Sequence, residues 1–286
     1  MAFSISHSAG IQKPLTTVPD NACDAHIHLY DARLAPPGAL GMLEHATADD
    51  YRLVQQRLGT TRTVIVNPRA CQTDNRVTLD GIVRLGRAQT RGVAVVRADV
   101  TDQELCSLDE GGICGIRFSL YQPDNAAVSF EMVQPLARRV AALGWHVQLH
   151  WTADQIVEHQ DMLRRLPSTI VFDHLARLPM PQGISHPAHA IVCELLDQGR
   201  TWIKLSGAYL DSAVGEQQGY RDLDPVAQSW LSQAPDRLVW GSDWPHPTEK
   251  VKPNDADLMD VLGRWAGEPS LLKKVLVDNP ASLYGF

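Results

Sequence analysis

Residues 22–29 read Ala22-Cys23-Asp24-Ala25-His26-Ile27-His28-Leu29, a short apolar run that closes on two histidines flanking an isoleucine. Extended backbone sends successive side chains to opposite faces, so His26 and His28 share one face and Ile27 takes the other. Seven further runs share this form: residues 62–67 (RTVIVN), 92–97 (GVAVVR), 113–120 (ICGIRFSL), 145–151 (WHVQLHW), 169–174 (TIVFDH), 201–206 (TWIKLS) and 237–243 (RLVWGSD). Amphipathic stretches of helical spacing separate them at 48–58, 76–89, 129–143, 153–166, 187–198, 223–233 and 255–266; two more, 270–276 and 279–284, close the chain. Strands alternating with helices make parallel βα units. Eight such units in 286 residues predict a (β/α)8 TIM barrel. A doubly wound open sheet is the alternative, but no glycine-rich phosphate loop follows the first run. Residues 1–286 read as one barrel domain, with 1–21 as an N-terminal arm packed across the barrel bottom.

Composition narrows the partners. The formal charge is −7 and the cations are scattered, which argues against nucleic acid and against an anionic membrane surface. No apolar run reaches the roughly 18 residues that a spanning helix needs. Residues 1–20 lack the basic start and apolar core of a signal peptide. Cys23, Cys71, Cys106, Cys114 and Cys193 are odd in number, spread out and free of CxxC pairs. Reduced thiols in a cytoplasmic protein are expected, with Cys71 in an exposed loop.

The chemistry lies at the strand ends. His26 and His28 end the first run, Asn67 the second, His150 the fifth, His174 the sixth, Ser206 the seventh and Asp243 the eighth; Arg117 and Ser119 lie two apart in the fourth. One strand-end histidine is usually a hydrogen-bonded structural group. Four histidines and an aspartate on four strands are different, because a barrel gathers corresponding strand ends around one mouth. Loops rich in Pro and Gly, 35–41 and 178–186, follow the first and sixth strands and belong to the same mouth.

This order of HxH, His, His and Asp resembles the amidohydrolase superfamily along nearly the whole chain. The stretches CDAHIHLY (23–30), TDN (73–75), GIRF (115–118), FDH (172–174), KLSG (204–207), GSDWPH (241–246) and DNP (278–280) look like the family-2 amidohydrolases that open lactones. That group holds the 2-pyrone-4,6-dicarboxylate and sugar-acid lactonases and a galactarolactone isomerase. The resemblance implies an amidohydrolase-type barrel and a lactone substrate. It also implies that Asp243 is the general base for water and that His26, His28 and His174 hold and polarise the carbonyl. Residues 36–40 look like the galactarolactone members.

Many amidohydrolases bridge two metals with a carboxylated lysine on the fourth strand, where this chain carries Arg117. A bridged pair is therefore not expected. The resemblance implies a metal-free reaction, yet His26, His28, His150 and Asp243 are sufficient donors for one divalent cation such as zinc, and that alternative stays open. A mononuclear zinc decarboxylase and a lactone isomerase are the competing enzymes; a binding protein that kept all these polar groups would carry their desolvation cost for nothing.

Arg117 is the expected grip for a substrate carboxylate, with a salt bridge to Asp99 or Asp173 as the bland alternative. His150 is expected beside the cluster as a polar wall. Asn67, Thr73, Asn75, Ser119, Tyr209 and Arg221 are candidates for substrate hydrogen bonds, and Arg177 for the same mouth. His246 is placed outside the innermost residues but within reach of substrate, and Trp151 and Trp244 form an apolar wall or simple packing. The loop after Arg117 offers no second cation, which favours a sugar-acid lactone with a single carboxylate over a pyrone dicarboxylate.

Overall fold

The computed structural model describes residues 4–36, 39 and 41–286. Eight parallel strands follow one another around a barrel in chain order: β1 Cys23–Ile27, β2 Arg62–Val66, β3 Thr90–Ala94, β4 Ile113–Ser119, β5 His146–His150, β6 Ile170–Phe172, β7 Thr201–Ser206 and β8 Leu238–Gly241. Just past β8, Asp243 N donates to His26 O and His28 N donates to Trp244 O, both at 2.8 Å, so β8 meets β1 at the mouth. Gly241 permits that approach: a Cβ there would stand 2.4 Å from His26 Cβ. Gly241→Ala is therefore expected to cost about 1–3 kcal/mol in urea unfolding through overpacking. Wild-type stability in that variant would contradict the close seam.

The outer helices are α1 Ala48–Leu58, α2 Arg76–Leu85, α3 Asp102–Glu110, α4 Phe130–Ala141, α5 Ala153–Glu158, α6 Gln160–Arg164, α7 Pro187–Asp197, α8 Ala208–Asp211, α9 Asp224–Gln233, α10 Asp255–Ala266, α11 Pro269–Lys273 and α12 Asn279–Tyr284. Helix α3 has no counterpart among the amphipathic stretches read from sequence. It buries only Leu105, so its apolar stripe is too thin to see, although Thr101 and Glu104 form a capping box at its start. The stretch 153–166 splits into α5 and α6 at His159, whose ψ of 17° leaves the helical range.

Strand alternation divides the core. Cys23, Ala25, Val64, Val66, Val93, Val171, Trp202 and Val239 cluster inside the barrel with Tyr284. Ile27, Ile65, Ala94, Ile116, Val147, Phe172, Ile203 and Trp240 belong to the larger core beneath the helices.

Two β-bulges break this alternation where the site needs it. Along β1, Asp24 pairs with Thr63 and Ile27 with Ile65, three steps against two. Ala25 and His26 thus both turn inward, and His28 follows His26. Along β4, Ile113 pairs with Gly92 and Gly115 with Val93, two steps against one. Cys114 and Gly115 absorb that extra residue, so Arg117 and Ser119 face the lumen. Bulges commonly re-aim side chains in this way.

Among the described residues, the arm lies along the barrel's side and not across its bottom. Ala9 N donates to Pro253 O, Trp244 Nε1 donates to Ser6 O, and Leu15 and Thr16 donate through their backbone to Asp260. It therefore descends from the loop after β8 along α10, satisfying polar groups on the barrel's side. Among the described residues, no helix is long and apolar enough to cross a membrane.

Candidate active site

A cavity of about 850 Å³ opens at the C-terminal ends of the strands. His28, His174 and Asp243 line it, as do Arg117, Ser119, Thr73 and His150. Pro36, Ala39 and Gly41 also line it; Pro37, Gly38 and Leu40, on which the galactarolactone-like reading of 36–40 partly rests, lie outside the described residues.

Three donor atoms converge beneath the cavity, with His28 and Asp243 on its lining and His26 fully buried behind them. His26 Nε2 stands 3.3 Å from His28 Nε2, and Asp243 Oδ1 stands 3.4 Å from the first and 3.3 Å from the second. His28 Nδ1 lies 2.8 Å from Val66 O. A carbonyl only accepts, so Nδ1 carries a proton and Nε2 is the nitrogen that faces the site. His174 joins from β6, its ring centroid 4.8 Å from that of His26 and its Nδ1 2.9 Å from Ser206 Oγ.

The backbone is strained where these groups leave their strands. His174, Leu175, Ala176 and Arg177 are four consecutive left-handed residues, with φ of 49°, 56°, 62° and 50°. Asp243 is left-handed too, at 64°. Each such residue costs on the order of 1 kcal/mol or more, and such strain clusters at active sites. Here Ala176 N bonds Asp173 O at 3.0 Å, and Arg177 binds Asp211 through Nε and Nη2 at 2.7 and 2.9 Å. One tight reversed turn thus sends both His174 and Arg177 to the cavity.

Below the floor lies a charged layer that sequence reading did not assemble. Asp173 Oδ2 accepts from Arg117 Nε at 3.0 Å and from Gln148 Nε2 at 3.2 Å, and Asp173 Oδ1 is 3.3 Å from His26 Nδ1. Lys204 Nζ donates to Ala25 O, the bulge carbonyl, at 2.7 Å. Burial raises the Asp173 carboxyl, but Arg117, then His26 and Lys204, outweigh it and hold it well below the usual range. Burial brings Lys204 down to about 8. The visible signal for Lys204 was a lysine inside the apolar run TWIKLS, in phase with Trp202 and Ser206.

Burial pulls His26 well below its ordinary value and His174 down to about 4. Burial raises Asp243, but His174, the His28 hydrogen bond and His26 outweigh it and hold the carboxyl well below the usual range. At neutral pH, His26 and His174 are therefore neutral and Asp243 is ionised. Acidification protonates His174 near pH 4 and Asp243 lower still. The acid limb that either group sets in kcat/KM is thus expected at or below about pH 4; a His174 imidazole titrating near the ordinary histidine value of about 6.5 by NMR would contradict this.

The remaining sequence candidates sort by geometry. Arg117 is bound to Asp173, the bland alternative, and also lines the cavity. His150 stays outside the donor cluster. Its Nε2 is 3.0 Å from Arg177 Nη1, which can only donate, so Nδ1–H points to Ser119 Oγ at 3.0 Å. The four-donor set with His150 is thus not assembled; His174 takes its place, and donor atoms of His26, His174 and Asp243 all lie within 4.8 Å of one another. Asn67 binds Gln72 O and Thr78 Oγ1, and Asn75 binds the Val95 backbone, so both hold loops and not the cavity wall. Arg221 is exposed outside the cavity lining. Tyr209 and His246 reach Asp243 and each other, as described below. Trp151 and Trp244 are fully buried packing residues. Cys71 is buried, contrary to expectation; Cys106 is the exposed thiol.

Arg177 lines the same cavity as Arg117, as its place after His174 suggested, and so does Arg69, from the loop after β2, which sequence reading missed. Distant loops meet at a barrel mouth, so a count of cations confined to the loop after Arg117 fell short. The argument for a single substrate carboxylate loses its premise.

The residues present fit one divalent ion. Zinc bonds of about 2.0–2.1 Å in tetrahedral array hold their donors about 3.3–3.4 Å apart, the edges found among His26 Nε2, His28 Nε2 and Asp243 Oδ1. The His28 Nδ1 bond to Val66 O is the kind of outer contact that fixes a ligand's tautomer.

Similar proteins share this framework. A 2-pyrone-4,6-dicarboxylate hydrolase of Comamonas testosteroni is 33% identical over 288 residues, spanning 96% of this chain and 94% of its own. A D-galactarolactone isomerase of Agrobacterium fabrum is 28% identical over 277 residues, spanning 95% and 93%. A solved structure from Agrobacterium tumefaciens superposes with a TM-score of 0.88 at 28% identity, covering 98% of this chain and 99% of that one. The amidohydrolase family model matches residues 23–286. Its bounds take in all eight strands and every polar strand end described above, and the chain belongs to the amidohydrolase family.

Proposed function

We propose that this protein is a lactonase that hydrolyses a carboxylated lactone. One observation carries the reading: the Asp243 carboxylate, His174 and the Arg117 guanidinium line a single cavity. The relatives named as a pyrone-dicarboxylate hydrolase and a galactarolactone isomerase act on rings of this kind and support it.

Ionised Asp243 takes a proton from water, whose oxygen attacks the ring carbonyl. His174, with Nδ1 accepting from Ser206, turns an N–H toward the carbonyl oxygen and stabilises its developing charge. The acyl–oxygen bond then breaks, and Asp243 returns the proton to the departing ring oxygen. Arg117 is held by Asp173 through Nε alone, which leaves the outer edge of the guanidinium for a carboxylate. Arg69 on the same wall accommodates a second acidic group, so sugar-acid lactones and pyrone dicarboxylates both belong in the substrate test.

A second reading rests on the donor triangle. His26, His28 and Asp243, with His174 alongside, would hold one divalent ion. When bound, that ion would polarise the carbonyl and lower the pKa of water. Metal analysis with and without chelation separates the readings: full activity in metal-free protein removes the ion, and activity restored only by added metal removes the metal-free route. For the substrate, a pH-indicator panel of aldarolactones, aldonolactones and pyrone dicarboxylate is expected to show acid release with carboxylated rings. Release with none of them would overturn the proposal.

A further inference from the structure

Asp243 has two carboxylate oxygens, and they meet different surroundings. Oδ1 faces His26 and His28 at the cavity floor. Oδ2 accepts from the Tyr209 hydroxyl at 2.6 Å. That hydroxyl lies 3.1 Å from His246 Nδ1, and His246 Nε2 lies 3.1 Å from Asp255 Oδ1. Asp255 Oδ2 accepts from the Ser8 hydroxyl, which in turn accepts from Arg57 Nη2. Arg57 also binds the Ala9 and Gly10 carbonyls at 3.1 and 2.8 Å. His246 and Asp255 are fully buried, and neither lines the cavity.

Hydrogen-bond counting gives the chain a direction. A phenol has one proton, and Tyr209 gives it to the carboxylate. His246 Nδ1 must therefore donate to the phenol oxygen, and the contact of Nε2 with Asp255 Oδ1 takes a second proton, carried by one of the two. Burial and the Asp243 charge push the Tyr209 phenol well above its ordinary value, so it remains a donor.

We propose that Tyr209 and His246, backed by Asp255 and by Ser8 of the N-terminal arm, are positioning residues that lock Asp243 with Oδ1 toward the reacting centre. A carboxylate swings about its last bond unless something holds one oxygen. Nothing in this chain need touch substrate. The arm, remote in sequence from the strand ends, becomes part of the support of the site.

The inference rests on Asp243 being the base of the proposed lactone reaction. It is tested by steady-state kinetics and crystal structures of Tyr209→Phe, His246→Asn, His246→Gln and Ser8→Ala. An asparagine amide nitrogen stands near the Nδ1 position, whereas that of glutamine stands near Nε2. Tyr209→Phe and His246→Gln are expected to lower kcat about 10–100-fold with KM changed less than about twofold. His246→Asn is expected to recover most of that loss, and Ser8→Ala to lower kcat about two- to fivefold. A raised KM with kcat retained in Tyr209→Phe, or equal losses in the two His246 variants, would overturn the proposal. If the wild type turns over no lactone, the functional reading falls and the structures alone decide. Asp243 rotated in Tyr209→Phe and His246→Gln but not in His246→Asn upholds the lock; Asp243 unmoved in all of them overturns it.

Discussion

Asp243→Asn is expected to lower kcat/KM for lactone opening by about three to four orders of magnitude, the range removed with a general base. The amide keeps the size of the carboxylate and can still accept from Tyr209, so the fold should survive. What it loses is the ability to take a proton from water. Asp243 also donates its backbone N–H to His26 O, which keeps the residue in place whatever its side chain. Retained turnover in a folded Asp243→Asn protein would remove the residue from the base role.

Arg117→Met should produce the second large effect, and it should be double. Asp173 is fully buried and takes its Oδ2 hydrogen bonds from Arg117 and Gln148. Removing one partner of a buried ion pair costs about 3–5 kcal/mol. Lys204, 3.9 Å from Asp173 Oδ1, softens that loss, so the lower end of the range is expected in urea unfolding. The same variant should raise KM about 10–100-fold for a carboxylated lactone, the worth of a charged hydrogen-bonded contact, and much less for its neutral ester. Adding Asp173→Asn should restore stability but not KM. Equal KM effects on acid and ester would assign Arg117 to the support of Asp173 alone.

Much of this architecture was legible in the residues. The eight apolar runs correspond to eight strands, because barrel strands are buried on both faces and leave continuous apolar text. His26, His28, His174 and Asp243 were visible as polar groups that an apolar strand has no reason to carry, and the fold brings them together. The bulges in β1 and β4 were not visible, since an extra residue in a strand changes the pairing without changing the composition. Yet those bulges turn His26 and Arg117 inward. The left-handed turn at 174–177 was hidden for a similar reason: none of its residues is glycine, and tertiary contacts hold the strain. Long-range polar partners, such as Ser8 with Asp255 across 247 positions, leave no local trace at all. His150 shows the limit of type-based reading. It has the right chemistry and a strand-end position, but Arg177 and Ser119 occupy both its nitrogens.

The most direct measurement is the mass of the product formed from a carboxylated lactone in water enriched in heavy oxygen. Hydrolysis predicts an open-chain acid heavier than the lactone by one labelled water, with the label in the new carboxylate. An unlabelled product of the same mass as the substrate would mean isomerisation, and a product lighter by carbon dioxide would mean decarboxylation. Either would contradict water activation by Asp243.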